Sequence, residues 1–213
     1  MRKETLKSDK IYHIYNKSIA GYKIFNNNSS KRFLMILNHY NEDSVMKLSR
    51  FIRNADNFKE TDLLIPEDSH IVKYLAYNIM PTHYHISVKI LKENLAYQYL
   101  NNIGNAFTRY FNLKYKRKGP LWQSSFQSVR VKTSEQMLHL SRYIHLNPTT
   151  AGLVKKPEDW HFSSYKKYIS NNYYLKNIMN EITINDCKRY KTFCENQIDY
   201  QRSLKKNTKL FID

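Results

Sequence analysis

"HIVKYLAYNIMPTHYHISVKIL", residues 70–91, is the stretch that decides the fold. Residues 70–80 and 83–91 are two β-rich runs, and Pro81 and Thr82 between them have the length of a tight hairpin turn. The second run opens on His83 and His85. In a strand, residues i and i+2 point to the same face, so these imidazoles project side by side while Tyr84 turns to the opposite face. Two neutral imidazoles so placed can both bind one divalent cation. Taken alone, the pair more often reads as two exposed or hydrogen-bonded strand histidines.

Upstream, "KIYHIYNKS" (10–18) alternates Ile11, His13 and Tyr15 with Tyr12, Ile14 and Asn16 and reads as a first strand. "NNNSS" (26–30) is turn chemistry, with Ser29 or Ser30 available as an N-cap. Phe33, Leu34, Leu37 and Tyr40 follow it at helical spacing. Residues 41–69 hold no period and read as an insert.

Downstream, Leu95, Tyr99, Ile103, Phe107, Tyr110 and Phe111 predict a long helix to about Lys116. Gly119-Pro120 breaks it, and "FQSVRVK" (126–132) alternates as another strand. "TSEQMLHLSRYIHLNP" (133–148) predicts a helix capped by Thr133 or Ser134 that stops before Pro148. In "PEDWHFSSY" (157–165), Trp160 and Phe162 read as core. The order strand, helix, strand, strand, helix, strand, helix predicts an α+β fold, an antiparallel sheet with helices on one face. The composition turns polar and basic near the end, which divides a domain at 1–170 from a helical or irregular basic extension at 171–213.

Charge speaks to partners. The 35 Lys and Arg against 18 Asp and Glu give a net charge of +17. A protein this basic is expected to face a polyanion, and its 18 Tyr and 10 Phe are what stacking on exposed bases would use. No run approaches the roughly 20 apolar residues that span a bilayer, and the N-terminus lacks the apolar core of a signal peptide, so a cytoplasmic protein with no membrane partner is expected. Cys187 and Cys194 form no CxxC pair and are expected to be reduced and structural.

A second constellation is "SRYIHLNP" (141–148). Tyr143 and Asn147 lie four apart and share a helix face, placing a phenol beside an amide able to serve as a third metal ligand, with coordination positions left for phosphate oxygens. His145 falls on another face and reads as structural or DNA-facing. "RYFNLKYKRKGPLWQ" (109–123) interleaves Arg109, Lys114, Lys116, Arg117 and Lys118 with Tyr110, Tyr115 and Trp122. With Arg130 on the next strand, it suits a surface that tracks a nucleic-acid backbone and stacks bases.

Four stretches together resemble the HUH-type tyrosine transposases of the insertion-sequence kind, especially the REP-associated tyrosine transposases: "VKYLAYNIMPTHYHISVKI", "NAFTRYFNLKYKRKGPLWQSSFQSVRVKT", "LHLSRYIHLNPTTAGLV" and "PEDWHFSSYKKY". The likeness runs over roughly residues 8 to 170. Tyr84 is a bulkier middle residue than the histidine motif of that family usually carries. The resemblance implies a ferredoxin-like or RRM-like sheet, with His83 and His85 as metal ligands and Tyr143 as the nucleophile. Asn147 stands where relatives place a Gln or Asn that completes the metal shell. It implies Mg²⁺ or Mn²⁺, a single-stranded DNA hairpin at a repeat or element end as partner, and cleavage and rejoining through a 5′-phosphotyrosine. The active site would lie within one chain or be exchanged in a homodimer. The alternative from another class is a catalytically silent single-stranded nucleic-acid-binding module descended from such an enzyme, and a third is a metal phosphoesterase that uses water.

Overall fold

The computed structural model describes residues 5–42, 68–170, 177–178, 181–184 and 186–203. The elements are β1 (Ile11–Lys17), α1 (Asn27–His39), β2 (Val72–Met80), β3 (His83–Ile90), α2 (Glu93–Lys114), β4 (Gln127–Val131), α3 (Ser134–Thr150), α4 (Tyr165–Ser170) and α5 (Cys187–Glu195). Most of the expected insert at 41–69 lies outside the described residues, as does part of 171–213. No helix among the described residues is long and apolar enough to cross a membrane.

The strands form one sheet of order β2-β3-β1-β4. With β1 antiparallel to both β3 and β4, and the sequence running β1-α1-β2-β3-α2-β4, this is the ferredoxin-like arrangement, an α+β fold. The chain divides into two compact units. One comprises Met1–Leu75 and Pro81–Val131, and the other Ala76–Met80 and Lys132–Asp213. The described part of 171–213 thus belongs to the second unit.

In the first unit, alternation along β1 buries Tyr12, Ile14 and Asn16 and leaves Ile11, His13 and Tyr15 half-buried. The buried set and its partners Tyr84, Ile86 and Val88 on β3 join Phe33, Leu34 and Leu37 of α1 and Tyr99, Ile103 and Phe107 of α2 in the core. Burying such side chains is worth about 1.5–3 kcal/mol each, which is what holds the two helices to the sheet. Tyr74 and Tyr99 hydrogen-bond one another in this core, and Tyr99 Oη donates onward to the Leu37 carbonyl at 2.8 Å.

The start of α1 departs from the sequence reading. Asn26 is the N-cap and Ser29 is the third helical residue. The Asn26 side chain accepts from the Ser29 amide at 3.0 Å while Ser29 Oγ accepts from the Asn26 amide at 2.8 Å. This reciprocal box satisfies two amides, which a cap at Ser29 would not do.

In the second unit, residues 162–164 run beside Ala76–Met80. The Ile79 amide donates to the Phe162 carbonyl at 2.9 Å, and the Ser164 amide to that of Tyr77 at 3.0 Å. Phe162 is buried as expected, and Trp160 is half-buried with its Nε1–H on the Ile79 carbonyl at 3.0 Å. Cys194 is a free thiol, and burial pushes it up to about 12, which makes it inert.

Helix α3 is capped by Thr133, whose hydroxyl accepts from the Gln136 amide at 3.1 Å, but it does not stop before Pro148. It runs two residues further, to Thr150. Proline has no N–H to offer the carbonyl four residues back, that of Ile144. Asn78 supplies the missing donor: its Nδ2 reaches the Ile144 carbonyl at 2.9 Å. A side chain distant in sequence thus repairs the helix at the proline.

This repair predicts a coupled pair of substitutions. Asn78→Leu should strand a buried carbonyl and cost about 1–3 kcal/mol in urea unfolding. Pro148→Ala, by restoring the amide, should recover much of that loss when combined with it. Strictly additive effects of the two changes would contradict the repair.

Candidate active site

In the first unit, β1 and β3 carry the polar cluster. Their register sets Tyr15 opposite His85, Lys17 opposite His83 and His13 opposite Ser87. His83 and His85 share a face as the strand period requires, with ring centroids 5.0 Å apart, while Tyr84 is buried on the other face. Tyr84 therefore serves the core, where it packs edge-on against Trp122 at 5.6 Å, and its bulk does not crowd the histidines.

Both histidines have Nδ1 engaged. Thr82 Oγ1 lies 2.8 Å from His83 Nδ1, and His13 Nε2 lies 2.9 Å from His85 Nδ1. Where Nδ1 carries the proton and donates it, the lone pair of a neutral imidazole sits on Nε2, the arrangement that metal-ligating histidines commonly show. Burial, with the nearby His13 and His83, holds His85 well below the usual imidazole range, and burial lowers His13 to about 4. Both are neutral at pH 7, the protonation state that coordination needs. Neither Thr82 nor His13 was assigned a role from sequence. The alternation of β1 placed His13 on the right face, but only the β1–β3 register brings it to His85.

In the second unit, Tyr143 is 44 % exposed on α3, whose opposite face buries Met137, Ser141, Ile144 and His145. Asn147 lies one turn on, as the spacing predicted, and its Nδ2 donates to the Tyr143 carbonyl at 3.0 Å. Because a carbonyl can only accept, this bond fixes the amide with Oδ1 as the atom able to approach a cation. Two imidazoles and an amide oxygen are a donor set that fits a divalent ion. Among the described residues no group of three or more His, Cys, Asp or Glu could hold a metal.

His145 is structural. It is fully buried, with Nδ1 2.7 Å from Tyr190 Oη on α5 and Nε2 2.7 Å from Ser164 Oγ. Tyr190 Oη donates on to Ser141 Oγ at 2.8 Å, and Ser141 Oγ to the Leu138 carbonyl at 2.7 Å. A neutral imidazole satisfies this chain, and burial lowers His145 to about 3. Since the unfolded chain binds the proton at about 6.5, the contribution is present above that pH and fades as pH falls toward 3, by about 1.4 kcal/mol per pH unit. The slope of unfolding free energy against pH between 6.5 and 5 should drop by about one proton in His145→Gln. Equal slopes would contradict a buried neutral His145.

The expected DNA-facing residues divide. Arg109, Lys114, Tyr115, Lys116 and Lys118 are exposed around the end of α2. Lys114 Nζ lies over the Tyr110 and Tyr115 rings, and Asn26 Nδ2 donates to Tyr115 Oη at 3.0 Å. The following loop returns to the histidine end of the sheet: the Gln123 amide donates to the carbonyl of Lys17, which faces His83. Three of the expected residues are only half-exposed. Trp122 is half-buried among Phe25, Phe33, Tyr84 and Phe107, with Nε1 on the Gly104 carbonyl at 3.2 Å, because burying its large ring outweighs exposing it. Arg117 is half-buried and staples its own loop, with Nη1 on Asn112 Oδ1 at 2.9 Å and Nη2 on the Pro120 carbonyl. Arg130 faces Tyr12 in the β1–β4 register, on the sheet face opposite the histidines. Arg32, which sequence reading passed over, adds a cation 5.3 Å from the Tyr110 ring.

Residues 65–147 match the family model of IS200-like transposases. Among solved structures, the chain is similar to a REP-associated tyrosine transposase bound to a REP hairpin. That likeness has a TM-score of 0.56 and 14 % identity, and covers 80 % of this chain and 86 % of that one. No curated protein matches. The matched segment contains the whole β2–β3 hairpin, α2, β4 and α3 as far as Asn147, and the chain has the fold that a REP-associated tyrosine transposase also has.

Proposed function

We propose that the chain is a DNA strand transferase that cuts and rejoins single-stranded DNA hairpins through a covalent bond to Tyr143. The observation that carries this reading is the matched pair of sites: a histidine pair with both Nδ1 atoms engaged, and an exposed tyrosine one helical turn from an oriented amide oxygen. The family match covers both.

His83, His85 and Asn147 would hold a divalent ion, Mg²⁺ or Mn²⁺. Two nitrogen donors favour Mn²⁺ over Mg²⁺, which prefers oxygen. When bound, such an ion offsets the negative charge of the scissile phosphate and orients it. Tyr143 attacks phosphorus in line. The bond from phosphorus to the 3′ oxygen breaks and that from phosphorus to the tyrosine oxygen forms. The phenol proton is passed in net terms to the departing 3′ oxygen. The bond energy stays in the 5′-phosphotyrosine, so the 3′-hydroxyl of a second strand can reverse the step without a nucleotide cofactor. Arg109, Lys114, Lys116 and Lys118, with Tyr115 as a stacking position, would track the strand toward the histidines.

Labelling the two ends of a hairpin cut from DNA flanking the gene tests the polarity. With Mn²⁺ present, label 3′ of the cut should travel with the denatured protein and label 5′ of it should be released with a free 3′-hydroxyl. Hairpin binding with no cleavage would favour the silent binding module. Cleavage that leaves both ends free of protein would favour a phosphoesterase that uses water.

A further inference from the structure

We propose that His13 is a positioning residue for the histidine pair: by accepting the Nδ1 proton of His85, it fixes the tautomer in which His85 presents the Nε2 lone pair to a metal. The inference rests on the proposed function and deepens it. Nothing in the family match reaches His13, which lies outside residues 65–147.

The geometry is specific. His13 Nε2 and His85 Nδ1 are 2.9 Å apart, and their rings meet edge to edge with centroids 5.1 Å apart and planes 25° from parallel. The residue directly opposite His13 on β3 is Ser87, and His85 is its diagonal neighbour. A serine opposite leaves room for the His13 ring to lean along the sheet toward His85, a displacement that a bulky cross-strand partner would block. The register is held on both sides of β1, which pairs with β3 and with β4, so the two rings meet on a fixed scaffold.

A neutral imidazole has one N–H, so only one proton can lie between these two nitrogens. Either His85 donates from Nδ1, leaving the lone pair on Nε2, or His13 donates from Nε2, leaving His85 protonated on Nε2 and unable to ligate through it. The first choice matches His83, whose Nδ1 can donate to the Thr82 hydroxyl at 2.8 Å. It would make the two imidazoles of the pair equivalent, each with its outer nitrogen as the donor atom. Partners of this kind typically govern metal affinity by 10–100-fold. His13 itself need not touch the ion, in keeping with the absence, among the described residues, of a cluster of three or more His, Cys, Asp or Glu that could hold a metal.

Two measurements on the full chain test this. The first is metal-free: long-range ¹H–¹⁵N correlation of the imidazole rings should find His85 protonated on Nδ1, and protonation on Nε2 overturns the inference whatever any variant does. The second is Mn²⁺ binding followed by electron paramagnetic resonance. His13→Phe should weaken binding by about 10–100-fold. His13→Gln, which can offer Oε1 as acceptor, should recover part of the loss. Undiminished Mn²⁺ affinity in His13→Phe overturns the positioning role. Undiminished affinity in His85→Ala overturns the metal reading beneath it, a result the His13 variants alone would not give.

Discussion

Replacing both His83 and His85 with alanine is expected to abolish hairpin cleavage, by on the order of 10³-fold or more, while leaving hairpin affinity within a few-fold of the parent. The two effects separate because they have different physical sources. Affinity for a polyanion comes from counterion release by exposed cations, and Arg109, Lys114, Lys116 and Lys118 lie around the end of α2 rather than in the histidine cluster. In the proposed mechanism the histidines would hold the ion that makes the phosphate attackable. The residual binding should fall steeply between 50 mM and 200 mM salt, as backbone contacts do. A double variant that still cuts would remove the metal site from the account, and binding that ignores salt would remove the electrostatic one.

Tyr143→Phe is the second large effect. The change deletes one oxygen from a side chain that is 44 % exposed, so the packing of α3 through Met137, Ile144 and His145 is untouched and stability should change by less than about 0.5 kcal/mol. Cleavage and joining should both fall to background, since a covalent nucleophile has no substitute at that position. Affinity for the hairpin and for Mn²⁺ should persist. A phosphoesterase that uses water would keep its turnover in this variant.

How far the sequence could be read follows from the range of the interactions involved. The β2–β3 hairpin, α1, α2 and α3 were legible because their periods and turn residues are local, and the pairing of Tyr143 with Asn147 needed nothing beyond the helical repeat. The end of α3 was misread at Pro148 because the rule for proline assumes that the orphaned carbonyl has no other donor, and Asn78 lies far away in the chain. His13 was visible as a strand residue but silent as a site residue, since the register that carries it to His85 is a long-range fact. Trp122, Arg117 and Arg130 were drawn to the DNA surface by their chemistry. Trp122 also packs in the core and Arg117 also closes its loop, and nothing local in the sequence distinguishes these uses from a DNA contact. His145 illustrates the opposite case: its helix face sets it apart from Tyr143, but its tie to Tyr190 on α5 comes from the tertiary fold.

The most direct test of the central claim is the intact mass of the protein after incubation with a single-stranded hairpin and Mn²⁺, followed by denaturation. The account expects a species heavier by the 3′ fragment of the oligonucleotide, absent without metal, absent in Tyr143→Phe, and mapping to the peptide that contains Tyr143. A hairpin that is cut while the protein mass stays unchanged, or an adduct that survives in Tyr143→Phe, would contradict it.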